Sequence, residues 1–199
     1  MIFTQRIVIT AIEALAGAII FVPLLFLINR FFFRSVKITT VYSVFAFYLS
    51  AVYAIVGLPT VYNFSFDTFV YLLPFVGMKY DVTNSILNVI LFVPLGVFLP
   101  ILSDKYTKFK NTLVFGFLAS LVIELLQFFT YRKTDINDII TNTTGAVLGF
   151  VLVSLIIKKT PQIRLDGKAG NLLAVAALTV LVMFFVQPLI SSAVWKIIS

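Results

Sequence analysis

The sequence predicts an all-α fold, a polytopic integral membrane helical bundle of about six transmembrane helices. Composition is the first reason. Of 199 residues, 61% are hydrophobic and 12% charged, more apolar surface than a soluble domain of this size can hide from water. The second is a mean hydropathy of +1.09, which suits a chain whose solvent is lipid. The third is distribution. The apolar residues gather into six stretches that reach, within a residue or two, the roughly 18–20 residues a spanning helix requires.

Taken in order, those spans cover residues 7–28, 40–57, 85–102, 112–129, 139–157 and 171–190. The first is too long for a signal-peptide core and has no small-residue cleavage site after it, so it reads as a retained span. The third contains NVILFVPLGVFLP, where Pro94 removes a backbone donor and, with Gly96, is expected to kink the helix. The fifth is the least apolar and opens with Asp138 and Asn142. With no internal repeat and no low-complexity segment, the expectation is one membrane domain over residues 1–199.

The second loop is not ordinary loop material. Its stretch FSFDTFVYLLPFVGM, residues 64–78, is apolar and aromatic but too short to cross a bilayer. It reads as an interfacial or re-entrant segment, or as an aromatic belt that anchors the protein.

Positive charge orients the stack. The first, third and fifth loops hold Arg30, Arg34, Lys37, Lys105, Lys108, Lys110, Lys158, Lys159, Arg164 and Lys168. The other side holds Arg6, Lys79, Arg132, Lys133 and Lys196. The excess places loops 1, 3 and 5 in the cytoplasm and both termini outside. The same rule accounts for the net charge of +7 without nucleic acid, and no basic patch with interleaved aromatics suggests a nucleic-acid face.

Cysteine and histidine are absent. A Cys/His zinc site, a cysteine nucleophile and histidine acid–base catalysis are therefore excluded. Any chemistry must run on carboxylates, amides, hydroxyls or Lys/Arg.

Against this apolar background the stretch IELLQFFTYRKTDINDIITNTTGAVLGF is unusually polar. Ser120, Glu124, Gln127 and Tyr131 share one face of the fourth span. Asp135, Asp138, Asn142, Gly145 and Gly149 share one face of the fifth. Asp81, Asn84, Ser85 and Asn88 lie near the outer end of the third, and Glu13 lies about two turns inside the first. Ionisable groups in membrane spans point by default to function, facing the bundle interior or a wet cavity. Gly145 and Gly149 form a GxxxG pair that lets another backbone come close, and the simplest assembly sets their face against the Glu124/Gln127 face, with Arg132 able to pair with a carboxylate. Structural readings stand beside this one. Asp135 and Asp138 suit helix capping, Asn88, Asn142 and Gln127 suit interhelical hydrogen bonding, and Glu124 suits an ion pair with Arg132.

These residues carry a resemblance. The strings N-x-x-L-F-x-P-L-G (Asn88 to Gly96), E-x-x-Q (Glu124 to Gln127), and R-x-x-D-x-x-D followed by N-x-x-G-A (Arg132 to Ala146) resemble the VanZ-like family of bacterial membrane proteins, in the family's order, over roughly residues 61–157. The resemblance implies a multi-pass protein of the bacterial plasma membrane and a link to lowered susceptibility to glycopeptides such as teicoplanin. It puts the family's polar signature on Asn88, Glu124, Gln127, Arg132, Asp135, Asp138, Asn142 and Gly145.

Two functional classes follow. In the first, the protein recognises or processes a lipid-linked cell-envelope headgroup. Glu124 and Asp138 act as catalytic acid and base or hold Mg²⁺ or Ca²⁺, Arg132 clamps a phosphate or carboxylate, and Gln127, Asn88, Asn142 and Asp135 bind substrate. In the second, the protein is not a catalyst: it binds membrane lipid, an envelope precursor or a lipophilic glycopeptide, or transports a small molecule, and its polar residues form a structural network.

Overall fold

The computed structural model describes residues 2–29, 33–66, 70–71, 73–75, 81–130, 132–165 and 167–198, and of these the side chains of 2–9, 28 and 194–198 are not described. Arg30, Lys79, Tyr131 and positions 67–69, 72 and 76–78 of the aromatic loop lie outside the described residues, as do the side chains of Arg6 and Lys196. Six helices are long and apolar enough to cross a membrane, and the protein is a multi-pass, all-α membrane protein. The chain forms two compact units, Met1–Phe64 with Gly170–Ser199, and Ser65–Ala169.

The first unit contains α1 (Ile2–Ile28), α2 (Val36–Val56) and a last span made of α6 (Ala169–Leu181), a π-helical turn (Val182–Val186) and α7 (Gln187–Ile198). α2 starts four residues before the predicted span because Asn29 organises the turn ahead of it. Its side-chain oxygen accepts from the Ser35 N–H at 3.1 Å and from the Thr39 hydroxyl at 2.6 Å. α2 ends at Gly57, whose φ of 61° is the left-handed conformation that suits a glycine after a helix. Gly17 of α1 lies against Met183 of the π turn and Ser50 of α2, so a small residue brings all three spans of this unit together. The π turn has a cause in Pro188. A proline has no N–H, so the carbonyl four residues earlier, that of Phe184, lacks its usual intrahelical donor. The Val61 N–H supplies one at 3.1 Å.

The second unit contains β1 (Val70–Tyr71), α3 (Val82–Leu102), a 3₁₀ turn (Asp104–Thr107), α4 (Phe109–Gln127), β2 (Thr134–Asp135), α5 (Ile136–Lys159) and a second 3₁₀ turn (Pro161–Ile163). α5 is the central element, packed on α3 and α4. α3 and α5 touch backbone to backbone: Gly96 faces the carbonyl of Ala146, Gly145 that of Val89 and Gly149 that of Val93. This corrects one expectation. The Gly145/Gly149 face packs on α3, not on α4, and Gly96 is there for close approach. α3 continues as helix through both Pro94 and Pro100.

The end of the unit away from the site is also stitched. The Leu165 N–H donates to the Ile101 carbonyl at 2.8 Å and the Gly167 N–H to that of Leu102 at 3.1 Å, while Arg164 pairs with Asp104.

Candidate functional site

α4 presents Thr112, Gly116, Ser120, Glu124 and Gln127 as its buried stripe, the periodic face its sequence predicts. Deep in the unit, the Asn142 amide of α5 donates to the Ser120 hydroxyl at 2.9 Å, with Asn142 only 2% exposed. Among the described residues the Asn142 side-chain oxygen is buried without a hydrogen-bond partner. One level below, Gly116 leaves room for Ala146. Asn142 therefore links α4 and α5 as an interhelical hydrogen bond does.

Glu124 is 2% exposed. Its carboxylate accepts the Asp135 N–H at 2.9 Å, and its backbone carbonyl accepts the Thr134 hydroxyl at 3.1 Å. The end of α4 is thus bound to the strand that leads into α5. Asp135 caps α5, accepting the Asn137 N–H at 2.9 Å, which is a preferred use of an aspartate at that position. Asp138 follows in the first turn, with the Asn88 side chain of α3 near enough to act on its charge. Asp138, Asn88 and Asp135 are each half-buried and Arg132 is exposed. Arg132, Asp135 and Asp138 all lie near enough to Glu124 to act on its charge, and Arg132, Asp135 and Asp81 near enough to act on that of Asp138.

The predicted residues therefore fall into two layers at one end of the unit. Glu124, Gln127 and Asn142 form a closed inner layer between α4 and α5. Asp138, Asn88, Asp135 and Arg132 form an outer layer open to the surroundings. Asp81 caps α3, accepting from the Asn84 N–H at 3.4 Å and from the Asn84 side-chain amide at 2.7 Å. These two residues begin a helix and are not part of the Asp138 cluster's hydrogen bonding. Glu13 belongs to the other unit, half-buried on α1.

Among the described residues no group of three or more acidic side chains is arranged to hold a metal ion. Two carboxylates with amides do not make an all-protein cage.

Asn137 was missed in the sequence. It is 4% exposed, and its side-chain oxygen accepts the Phe75 N–H at 2.7 Å. With it goes the rest of the docking of the aromatic loop. Val70 and Tyr71 pair in parallel with Thr134 and Asp135, the Ser65 N–H donates to the Phe129 carbonyl at 3.1 Å, and Phe66 packs on Phe129. Lys133 lies over the Tyr71 ring at 5.3 Å. The described part of the predicted interfacial segment is therefore a short strand and a turn at Pro74–Phe75, tied to the α4–α5 connection, with Phe64, Phe66, Leu73 and Phe75 exposed. A period-based reading had no signal for Asn137, since a polar residue two places after a capping aspartate looks like the solvated first turn of a helix.

No solved structure matches the chain. A curated relative, Protein VanZ of Enterococcus faecium, is 41% identical over 80 residues, covering 40% of this chain and 49% of that protein. The chain thus spans about half the length of that relative. The VanZ/LLP1 family model matches residues 45–159, from within α2 to the end of α5, and so takes in both carboxylate layers and the glycine contacts between α3 and α5. The chain belongs to the VanZ/LLP1 family.

Proposed function

We propose that this protein recognises or processes a lipid-linked headgroup of the bacterial cell envelope at the outer face of the plasma membrane, and that Asp138 is the group that meets the substrate. The observation that carries this reading is the difference between the two carboxylates. Glu124 is closed off and already accepts a backbone N–H, whereas Asp138, one helix turn beyond the docked loop, is half-open beside Asn88 and Arg132. Two neighbouring carboxylates in unlike surroundings can divide into proton donor and acceptor. Asp138 takes or gives the proton at the headgroup, Glu124 holds the complementary state and fixes the Asp135 turn, and Arg132 attracts the anionic part of the headgroup. Asn88 orients the Asp138 carboxylate, while Gln127 and Asn142 keep the inner layer in place.

The orientation is part of the proposal. The ten-to-five distribution of Lys and Arg favours loops 1, 3 and 5 inside, which turns the Glu124/Asp138 end of the unit outward. Lowered susceptibility to glycopeptides of the teicoplanin type is the phenotype that the family resemblance suggests, reached through the lipid-linked precursors such drugs meet outside the cell.

A second reading has its own observation. Glu124, Asn142 and Ser120 spend hydrogen bonds on holding α4 to α5, as a non-catalytic binder or carrier would require. The separating experiment uses purified protein in lipid bilayers with labelled prenyl-phosphate and glycerophosphate lipids, with and without Mg²⁺, for wild type, Asp138→Asn and Glu124→Gln. Turnover that falls about 10²-fold or more in Asp138→Asn, the usual weight of a general acid or base, supports the enzyme. Binding without turnover, lost in Asp138→Asn, supports recognition alone. If neither variant alters binding, turnover or the drug susceptibility of cells, the headgroup reading is wrong.

A further inference from the structure

Beside the outer layer of polar residues, α3 and α5 flank an open groove of about 520 Å³ lined by Val82, Ser85, Ile86, Val89, Ile90, Ile140, Thr141 and Thr144, within the size range of ligand clefts, about 300–1,000 Å³. From these observations we infer that this groove holds one hydrocarbon chain of a membrane lipid, so that the substrate of the Asp138 site is itself resident in the bilayer and enters from the side. The inference rests on the headgroup reading for the word substrate, but the occupant is argued from the groove.

Its chemistry admits hydrocarbon and little else. The three hydroxyls on its walls are turned back onto their own helices. Ser85 donates to the Asp81 carbonyl at 3.1 Å, Thr141 to that of Asn137 at 3.0 Å and Thr144 to that of Ile140 at 2.8 Å. What remains to face a ligand is methyl and methylene, and a polar guest would lose its hydrogen bonds there. The groove also lies on membrane-spanning helices, with Val82, Ile86 and Ile90 more than half exposed. At that level the surrounding solvent is lipid.

Two further features set it apart from an ordinary lipid-facing surface. Its walls are fixed, because the Gly145–Val89 and Gly149–Val93 backbone contacts hold α3 and α5 together just below it. It also borders the polar site: Ser85 is one turn from Asn88 and Thr141 one turn from Asp138, and Asn88 is near enough to act on the Asp138 charge. A chain seated here therefore delivers its headgroup to Asp138, with Arg132 and Lys133 nearby in sequence to suit a phosphate.

The test is photolabelling of the full-length protein in bilayers. The probes are two lipids with the same diazirine-bearing acyl chain, one a phosphate monoester and one an uncharged diacylglycerol. The expected result is label concentrated on 82–90 and 140–144 with both probes, reduced about tenfold, or about 1.4 kcal/mol, by Ile86→Trp or Ile140→Trp. Val122→Trp, on the exposed side of α4, should leave it unchanged. Arg132→Ala is expected to lower labelling by the phosphate lipid only. Label no denser on the groove than on α4, or undiminished by both tryptophans, would mean annular lipid only and would overturn the inference. If label stays on the groove and Asp138→Asn leaves turnover and phosphate-lipid binding untouched, the groove stands and the headgroup reading fails.

Discussion

The Glu124 carboxylate and the Asp135 backbone N–H, eleven residues apart, are joined at 2.9 Å, so that the end of one spanning helix holds the start of the next. A buried donor left without its acceptor costs about 1–3 kcal/mol. Glu124→Leu is therefore expected to lower unfolding free energy by that amount in denaturant titration of the detergent-solubilised protein. Glu124→Gln retains a carbonyl oxygen at the same place and should cost less than about 1 kcal/mol. Equal losses in the two variants would show that charge, not the hydrogen bond, is what matters at this position.

Asp135 and Asp138 should separate cleanly. Asp135 is the cap of α5, and Asp135→Ala is expected to cost about 1 kcal/mol, whereas Asp135→Asn should cost only a few tenths. Asp138 accepts no capping bond among the described residues, so Asp138→Asn should stay within about 0.5 kcal/mol of wild type while losing headgroup binding or turnover. Thermal unfolding and lipid binding measured on the same preparations check both halves. A large stability loss in Asp138→Asn would mark it as structural.

The glycine contacts predict a graded series. A Cβ at Gly96, Gly145 or Gly149 would fall on a carbonyl of the facing helix, and backbone cannot move aside as a side chain can. Gly149→Val and Gly96→Val should each cost at least the roughly 1–3 kcal/mol typical of overpacking. Gly170→Ala, at the start of α6 with no atom within 4 Å of the new methyl, should be neutral or stabilising by up to about 1 kcal/mol. Denaturation midpoints of the three variants are the measurement, and a well-tolerated Gly149→Val would contradict the α3–α5 contact.

Phe75 provides a test of the docked loop. Its φ of 65° is a conformation that costs a non-glycine residue about 1–3 kcal/mol, and its N–H is held by Asn137. Asn137→Ala is expected to raise amide exchange across 70–75 by about tenfold, or about 1.4 kcal/mol. Phe75→Gly should slow exchange at the same amides, because the ring is 68% exposed and little packing is lost with it. Unchanged exchange in Asn137→Ala would mean that the loop is held by its other contacts, the β1–β2 pairing first among them.

Much of the site was legible before the structure, for a local reason. Ser120, Glu124 and Gln127 line one face of α4 because helical period is a property of neighbouring residues, and the same period placed Asp138 and Asn142 on α5. What was not legible depended on partners far apart in sequence. The Gly145/Gly149 face looked suited to α4, since α4 carried the polar residues. It packs on α3 because Gly96, Gly145 and Gly149 let the two backbones meet there, glycine against carbonyl. The loop around Tyr71 and Phe75 is held by main-chain pairing with 134–135 and by the Asn137 side chain, partners some sixty residues away that local period does not reveal.

By itself the sequence determined the medium, the number of spans and the residues that carry charge into them, because transfer from water to lipid is close to a sum over single residues. Which helices touch was decided only by tertiary structure. Lipid tails are as apolar as leucine, so hydropathy does not choose a neighbour. That choice comes from close contact between small residues and from a few hydrogen bonds, and it is what separates an inner glutamate that holds the turn from an outer aspartate left open beside an apolar groove.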